Sequence, residues 1–391
     1  MGMKQPMVVV GDEWGLHPTS VQHLTRRLVQ TRPVLYANTF CHRRPSWSRD
    51  DASRAWAKLR LWFSSNGNTH HGVSSNLHFC SPVSIPFLPV GPIRSWNKRQ
   101  LIGGLREQIK VNNFENPILF VALPFGAEAV GRLGERLLIY YVMDQYSAMP
   151  NVYADYLEEL EQAMLSQADL IFVTSRNLLQ EKNGSKTPAV LLPHGVDFEH
   201  FHSAVQPLGE VPEELRDLPR PILGFHGVLA PWVDTEILER VCQAFSEASI
   251  VLIGPEWIDF PVSKGLPNLH RLGMRTYAEL PRYAAHFDVG LIPFRQDRLT
   301  AYVNPLKLLE YLALGLPVVS TPLPDLAPYA NVLYQASTPD DFVDQVKVAL
   351  QDREPKRREQ RFALAAEESW EARVSTLEGY IEGALRERKS S

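Results

Sequence analysis

The residues best suited to chemistry lie in the stretch Asp288–Asp325, DVGLIPFRQDRLTAYVNPLKLLEYLALGLPVVSTPLPD. It reads as a buried strand, a polar loop, a helix over Pro305–Leu314, Gly315 as its C-terminal stop and a second buried strand. Proline suits a first helical turn and glycine the position past the last one. A helix that starts at a sheet edge presents free N–H groups and a partial positive charge there, which makes a diphosphate site without a metal. Lys307 adds a full charge in the first turn. Glu310, one turn later, offers a carboxylate to ribose hydroxyls. The plainer alternative is a crossover helix carrying an exposed Lys–Glu pair.

Two series of apolar strands and helices must position these residues. The first comprises Met7–Val10, a helix over Thr19–Gln30, Val34–Ala37, Ile118–Ala122, Leu137–Val142, a helix over Ala154–Gln167, Leu170–Val173 and Val190–Leu192. The second comprises Ile222–Phe225, a helix over Val233–Ser246, Ser249–Ile253, Leu269–Leu272, a helix around Tyr277–Ala285, Val289–Ile292, the helix at Pro305, Val318–Ser320 and Val332–Tyr334. Short apolar strands alternating with helices predict parallel sheets buried on both faces, with ligands at their carboxyl edges. The expected limits are an N-terminal domain over 1–200 with an irregular insertion over about 40–92, a proline-marked linker over 201–221 and a second domain over 222–365. A C-terminal helix over 366–391, part of a helical tail from Pro355, is expected to dock back across the domains through Trp370, Val374 and Leu377.

Composition narrows the classes. With 45% hydrophobic and 21% charged residues the chain is ordinary for two globular domains. No apolar run approaches the roughly 18 residues of a membrane span, and the N-terminus reads as a strand and not as a signal peptide. Cys41, Cys80 and Cys242 form no CxxC pair, which points to a reducing, cytoplasmic compartment. His42, His70, His71 and His78 with Cys41 and Cys80 match no standard ligand spacing, and no metal is expected. Residues 1–110 hold 15 Lys/Arg against 5 Asp/Glu, whereas the remainder holds 25 against 39. The basic excess, interleaved with Trp47, Trp56, Trp62 and Trp96, suits an anionic membrane face or lipid-phosphate acceptor, or is a plain solvated face. Dinucleotide-binding, P-loop and α/β-hydrolase motifs are all absent.

The stretch ending in Gly315, Pro317, Val318, Val319 and Thr321, with Glu310 upstream, resembles the donor-site signature of retaining GT-B glycosyltransferases of group 1, the polysaccharide-building type. LLPHGVDFEHF, LGMRTYAELPRYAAHFDVGLIPF, YVMDQYSAMP and the tail segment SWEARVSTL extend the resemblance over nearly the whole chain. It implies two Rossmann-like, doubly wound domains facing a cleft, and a nucleotide-diphosphate sugar as donor. Glu310 would bind the ribose, the backbone of Met274 and Arg275 the base, and the amides of Val303 and Asn304 the diphosphate. Gly227, in FHGVLAPWVD, and Pro305 would line the same donor side. On the acceptor side stand Gly11, Trp14, Gly15 and His17 of GDEWGLH. Trp14 either stacks on a sugar or is a packed loop residue. Asp144, at the end of a buried strand, either orients or deprotonates an acceptor hydroxyl or caps a turn. His194 and Gly195 hold a turn.

Two departures from the pattern bear on mechanism. Tyr302 stands where the family has its first glutamate, and FHGVLAPWVD lacks the usual Arg and Lys. Arg295, Arg298 and Lys307 are therefore expected to supply the phosphate countercharge, with Lys307, Glu310 and Asp144 as catalytic candidates. The expected activity is metal-independent, retaining sugar transfer to a saccharide or lipid-linked acceptor, in the cytoplasm or at the inner membrane face. No nucleic acid partner and no cofactor beyond the donor are expected. The alternatives are a sugar-nucleotide epimerase of the same fold or a catalytically silent GT-B-like scaffold.

Overall fold

The computed structural model describes residues 3–15, 18–39, 74–85, 91–149, 151–257 and 266–390. The chain divides into two compact units, Met1–Thr174 with Leu178–Leu192 and Thr376–Ser391, and Ser175–Asn177 with Pro193–Ser375.

The first unit is built on a parallel sheet of β1 (Met7–Gly11), β2 (Val34–Asn38), β3 (Leu77–Cys80), β4 (Ile118–Val121), β5 (Leu137–Val142), β6 (Leu170–Val173) and β7 (Ala189–Leu191), ordered β3-β2-β1-β4-β5-β6-β7. The central strands are apolar on both faces and buried throughout, as a sheet covered on both sides requires. Strand order reverses between β1 and β4. Helices α1 (Ser20–Leu28), α2 (Gly91–Val111), α3 (Ala154–Gln167) and, from Leu178 on, α4 (Arg176–Lys182) accompany the sheet, while Arg176 and Asn177 belong to the second unit.

The insertion expected over 40–92 needs correction at its described end. Residues 40–73 and 86–90 lie outside the described residues, but 74–85 contain β3, paired in parallel with β2, and Gly91 opens a 21-residue helix. That helix is basic, buries only Asn97, Leu101 and Leu105, and carries Gly103 and Gly104 in its middle, which hides its period. At Gly104 a Cβ would stand 3.2 Å from the Cys80 sulfur, so the glycine lets α2 lie close on β3. Part of the basic excess is also neutralised here. Arg94 and Lys98 each reach the buried Glu128 at 2.7 Å.

The second unit repeats the design with β8 (Ile222–His226), β9 (Ser249–Ile253), β10 (Leu269–Gly273), β11 (Val289–Ile292), β12 (Val318–Ser320) and β13 (Tyr334–Gln335), ordered β10-β9-β8-β11-β12-β13. Its order reverses between β8 and β11, the position where such sheets open a crevice. The helices are α5 (Phe198–His202), α6 (Glu213–Arg216), α7 (Thr235–Ala244), α8 (Leu280–Ala284), α9 (Leu306–Ala313), α10 (Pro339–Ala349), α11 (Pro355–Glu367) and α12 (Trp370–Ser390). Asp234 caps α7 by accepting from the amides of Glu236 and Ile237.

Two expected boundaries move. The stretch read as a linker, 201–221, packs into the second unit, where Phe201 and Leu215 are buried in the core. Residues 193–200 belong there too, because Val196 donates to Glu368 O at 2.9 Å and accepts from the Trp370 amide at 3.1 Å. Gly195 lies against the Trp370 backbone with no room for a side chain. The helical tail breaks at Glu368–Ser369. Helix α11 stays in the second unit, while α12 contributes up to Ser375 to the second unit and from Thr376 to the first. In the first unit Glu378 receives Arg32 at 3.2 Å and Lys4 at 3.1 Å. In the second, Arg361 is paired with Asp352, both almost wholly buried.

Removing Arg361 leaves the buried Asp352 carboxylate with the Tyr334 hydroxyl at 2.9 Å and a more distant cation, Arg357, at 3.5 Å. Arg361→Ala should therefore lower the unfolding free energy by about 3–5 kcal/mol. Urea unfolding followed by circular dichroism measures this, and an unchanged midpoint would contradict it.

Candidate functional site

A glycine follows the carboxyl end of each of β8 and β9, at a positive φ that strains any side chain. Gly227 follows β8 at φ +132 and Gly254 follows β9 at φ +149. The Gly227 amide donates to Ile253 O at 2.8 Å, and that of Gly254 to Gly273 O at 2.9 Å. A Cβ on Gly254 would overlap the Gly227 carbonyl, and one on Gly227 would meet Lys307 Cε at 3.2 Å and Nζ at 3.5 Å. The bare turn leaves room for the lysine.

Helix α9 begins at Leu306, with Pro305 as N-cap instead of first helical residue, and no side chain caps it. The Leu308 amide turns back to Pro305 O at 3.0 Å, so it is the amides of Leu306 and Lys307 that keep their donors for another partner. The Lys307 ammonium lies 4.4 Å from the Phe294 ring and 5.4 Å from that of Phe225. Burial pulls its pKa down to about 8, against the pull of Glu310. Glu310 is 6% exposed, and burial pushes its carboxyl up to about 7, against Lys307. His226 ends β8 with Nε2 3.5 Å from Glu310 Oε2. Burial, then the Lys307 charge, lowers the imidazole to about 3, so it is neutral. Tyr311 fixes the arrangement: its hydroxyl accepts from the His226 amide at 3.1 Å and donates to Gly224 O at 3.3 Å. The plain exposed Lys–Glu pair is thereby replaced by a cluster of one half-buried cation, one buried carboxyl and one buried neutral imidazole.

The loop before α9 is less free than the sequence suggests. Thr300 is buried, donates its hydroxyl to Arg295 O and accepts from the Asp297 amide at 3.0 Å. The Val303 amide already donates to Thr300 O at 3.1 Å. Of the two amides expected to meet a diphosphate, only that of Asn304 lacks a backbone acceptor among the described residues. Burial raises the Asp325 carboxyl, and the Arg176 amide, which donates to it at 3.2 Å, and the Asn304 side chain pull it back down. Asn177 donates to Ala301 O at 2.7 Å. Arg295 and Arg298 are exposed and, among the described residues, have no carboxylate within ion-pair reach. Met274 is exposed after β10, whereas Arg275 is engaged by Leu272 O at 2.6 Å and Glu214 at 2.8 Å. The arginine side chain thus braces α6.

In the first unit, Gly11 ends β1 where the Tyr36 hydroxyl leaves no space for a Cβ. Tyr36 donates to Asp12 O at 2.8 Å, and Thr19 to Asp12 Oδ1 at 2.9 Å. Trp14 meets Tyr36 at 4.9 Å and Phe79 at 5.3 Å edge-on, with Arg26 5.3 Å over its ring. It is a packed, half-buried loop residue. Gly15 donates to Gln22 at 3.4 Å, and His17 lies outside the described residues. Asp144 follows β5, half-buried, and burial alone raises its carboxyl to about 7. It caps nothing, since Gln145 precedes the next turn. Among the described residues its carboxylate has no hydrogen-bond partner.

Sequence reasoning missed His226, Asp325 and the support behind Asp144. Lys182, buried with Glu161 at 2.9 Å, donates to Gln145 Oε1 at 2.9 Å and so fixes the residue beside Asp144. The available signal for His226 was a polar residue ending an apolar strand before a glycine. Of the His/Cys cluster only His78 and Cys80 are described. No group of three or more His, Cys, Asp or Glu among the described residues is placed to hold a metal. A hollow of about 570 Å³ lies at the amino edge of the first sheet, lined by Asn76, His78, Asn113 and Asn116, and includes none of these site residues.

The two parallel sheets, each reversing order beside its first strand, define a GT-B fold, and residues 220–352 match the model of the family "Glycosyl transferases group 1". The chain is 28% identical over 229 residues to the putative teichuronic acid biosynthesis glycosyltransferase TuaH of Bacillus subtilis, over 55% of this chain and 57% of that relative's length. It thus spans little more than half of the curated relative it matches. Among solved structures it is similar to Anabaena HepE in complex with UDP and glucose (TM-score 0.65, 12% identity, 97% and 100% of the two chains). It is also similar to sucrose-phosphate synthase from Thermosynechococcus elongatus (TM-score 0.69, 13% identity, 98% and 100%). No helix among the described residues is long and apolar enough to cross a membrane.

The Glu310 carboxyl sits above its ordinary 4.5 in the folded chain, at about 7. Between those values the unfolded chain releases a proton that the folded chain keeps, so this group costs no stability below the window and a growing amount up to pH 7. Glu310→Gln stays neutral and should gain stability relative to wild type as pH rises through that window. Melting temperatures of both proteins at pH 5 and pH 8 check this, and an equal difference at the two values would contradict it.

Proposed function

We propose that the protein transfers a sugar from a nucleotide-diphosphate donor to a saccharide or lipid-linked acceptor, with retention and without a metal. The observation that carries this is the Lys307–Glu310 pair, one turn apart at the uncapped start of α9 in a group 1 glycosyl transferase domain. Lys307, still mostly protonated at neutral pH, and the first amides of α9 would neutralise the departing diphosphate. Glu310 would accept from the ribose hydroxyls, and the backbone at Met274 and Arg275 would meet the base. Arg295 and Arg298, on the exposed loop, would add countercharge from solvent.

Retention has the acceptor oxygen bond the anomeric carbon on the face that the diphosphate leaves. The departing phosphate oxygen then takes the proton, and Asp144 orients the acceptor hydroxyl. The lone Asp144 carboxyl, poised near neutrality, favours a second reading in which it takes that proton itself and the product is inverted. NMR of the product anomer separates the two. The UDP bound by Anabaena HepE supports a uridine donor, and the teichuronic acid relative supports a polysaccharide acceptor. The basic excess of residues 1–110 supports a cytoplasmic protein working at an anionic inner membrane face.

Calorimetric titration with nucleoside diphosphates tests the donor site. Lys307→Ala should weaken binding about 10- to 100-fold, the worth of a charged hydrogen bond. Asp144→Asn should keep wild-type affinity while losing about 100-fold or more in transfer. Unchanged affinity in Lys307→Ala would sink the reading. Conversion of donor with no acceptor present would favour an epimerase instead.

A further inference from the structure

We propose that His226 is a positioning residue for the donor nucleotide: it holds one oxygen of Glu310 and so turns the other toward the ribose. This rests on the donor-site reading above. Among the described residues, His226 Nε2 is a buried nitrogen with no hydrogen-bond partner, on a residue only 3% exposed. Buried polar atoms left in this state mark a function or an absent partner. The nearest acidic group is Glu310 Oε2, at 3.5 Å, within charge range and just too long for a good hydrogen bond.

The imidazole is held in place. Its backbone amide is bound by the Tyr311 hydroxyl, its ring meets the Tyr311 ring edge-on at 4.7 Å, and Gly227 follows it at a fixed positive φ. Among the described residues, the charged and titratable groups recorded against it are Lys307, Glu310 and Tyr311, all on α9. Lys307 repels a proton on the ring, so His226 works as a neutral group. With Nε2–H it donates to the ionised Glu310. That bond sets the carboxylate plane, leaving Oε1 to accept from a ribose hydroxyl. A diol drawn to Oε1 rotates the carboxylate, and this closes the remaining distance to Nε2. His226 makes no bond to the nucleotide itself; it acts through Glu310.

The test compares the tightest binder among ADP, GDP and UDP with its dideoxy counterpart, which lacks both ribose hydroxyls. His226→Phe and His226→Leu keep an apolar filler against Tyr311 and remove the donor, while His226→Gln restores one. The expected result for Phe and Leu is about 10-fold weaker binding of the ribonucleotide, the value of one hydrogen bond to a charged group. Gln should recover most of it, and the dideoxy nucleotide should bind all four proteins alike. Equal loss for both nucleotides, or no loss for either, would overturn the positioning role. If wild type binds none of the three diphosphates, the donor-site reading fails and the inference falls with it. Binding by wild type with insensitivity to residue 226 removes the inference alone.

Discussion

Desolvation of two opposite charges one helical turn apart is the constraint on which the second unit's chemistry depends. The packing of α9 on its sheet buries Glu310 and half-buries Lys307, and each is pushed toward its neutral form, the lysine to about 8 and the glutamate to about 7. Each also pulls the other back toward charge. The pair is therefore balanced near neutrality instead of locked into a strong ion pair. A ligand that brings phosphate to the lysine and hydroxyls to the glutamate supplies the missing partners of both at once.

The surrounding fold can be read as the means of keeping that pair buried without collapsing onto it. Tyr311 ties α9 to the end of β8 through two hydrogen bonds, and the approach is close enough that only glycine fits at Gly290. Gly227 and Gly254 strip the turn opposite Lys307 of side chains. On the far side, Thr321 donates to Phe294 O at 2.7 Å and so joins the ends of β11 and β12, while Gly315 at φ +72 ends the helix. Phe294, fixed by that junction, provides the aromatic face on which the ammonium rests. The first unit repeats the theme more simply. Asp12 and Asp144 gather near the buried Tyr146 at the carboxyl edge of its sheet, and among the described residues the Asp144 carboxylate has no hydrogen-bond partner whereas Asp12 has Thr19.

Much of this was legible in the sequence, for identifiable reasons. Parallel strands buried on both faces must be apolar throughout, so VVV, ILFV, LLIYYV and SIVLI could be placed without the structure. Helix α9 announced itself by the proline before it and the glycine after it. The rest failed where local pattern and tertiary packing disagree. Prolines made 201–221 look like a linker, although Phe201 and Leu215 are core residues. Helix α2 lacks an apolar stripe and carries two adjacent glycines, so neither period nor propensity revealed it. In the site, residue type pointed to Lys307 and Glu310, but not to the burial that tunes them. His226 and Asp325 act through contacts with residues 84 and 21 positions away in sequence, at Glu310 and Asn304, which no spacing rule reaches.

The central claim is that α9 and the Lys307–Glu310 pair form a nucleoside-diphosphate site. Its most direct test is a crystal structure of the protein soaked with the nucleoside diphosphate it binds best. The account predicts phosphate oxygens about 3 Å from Lys307 Nζ and from the first amides of α9, with a ribose hydroxyl at the same distance from Glu310. A nucleotide whose phosphates rest on Arg295 and Arg298, with the Lys307 ammonium still against Phe294 and no phosphate near it, would contradict the account.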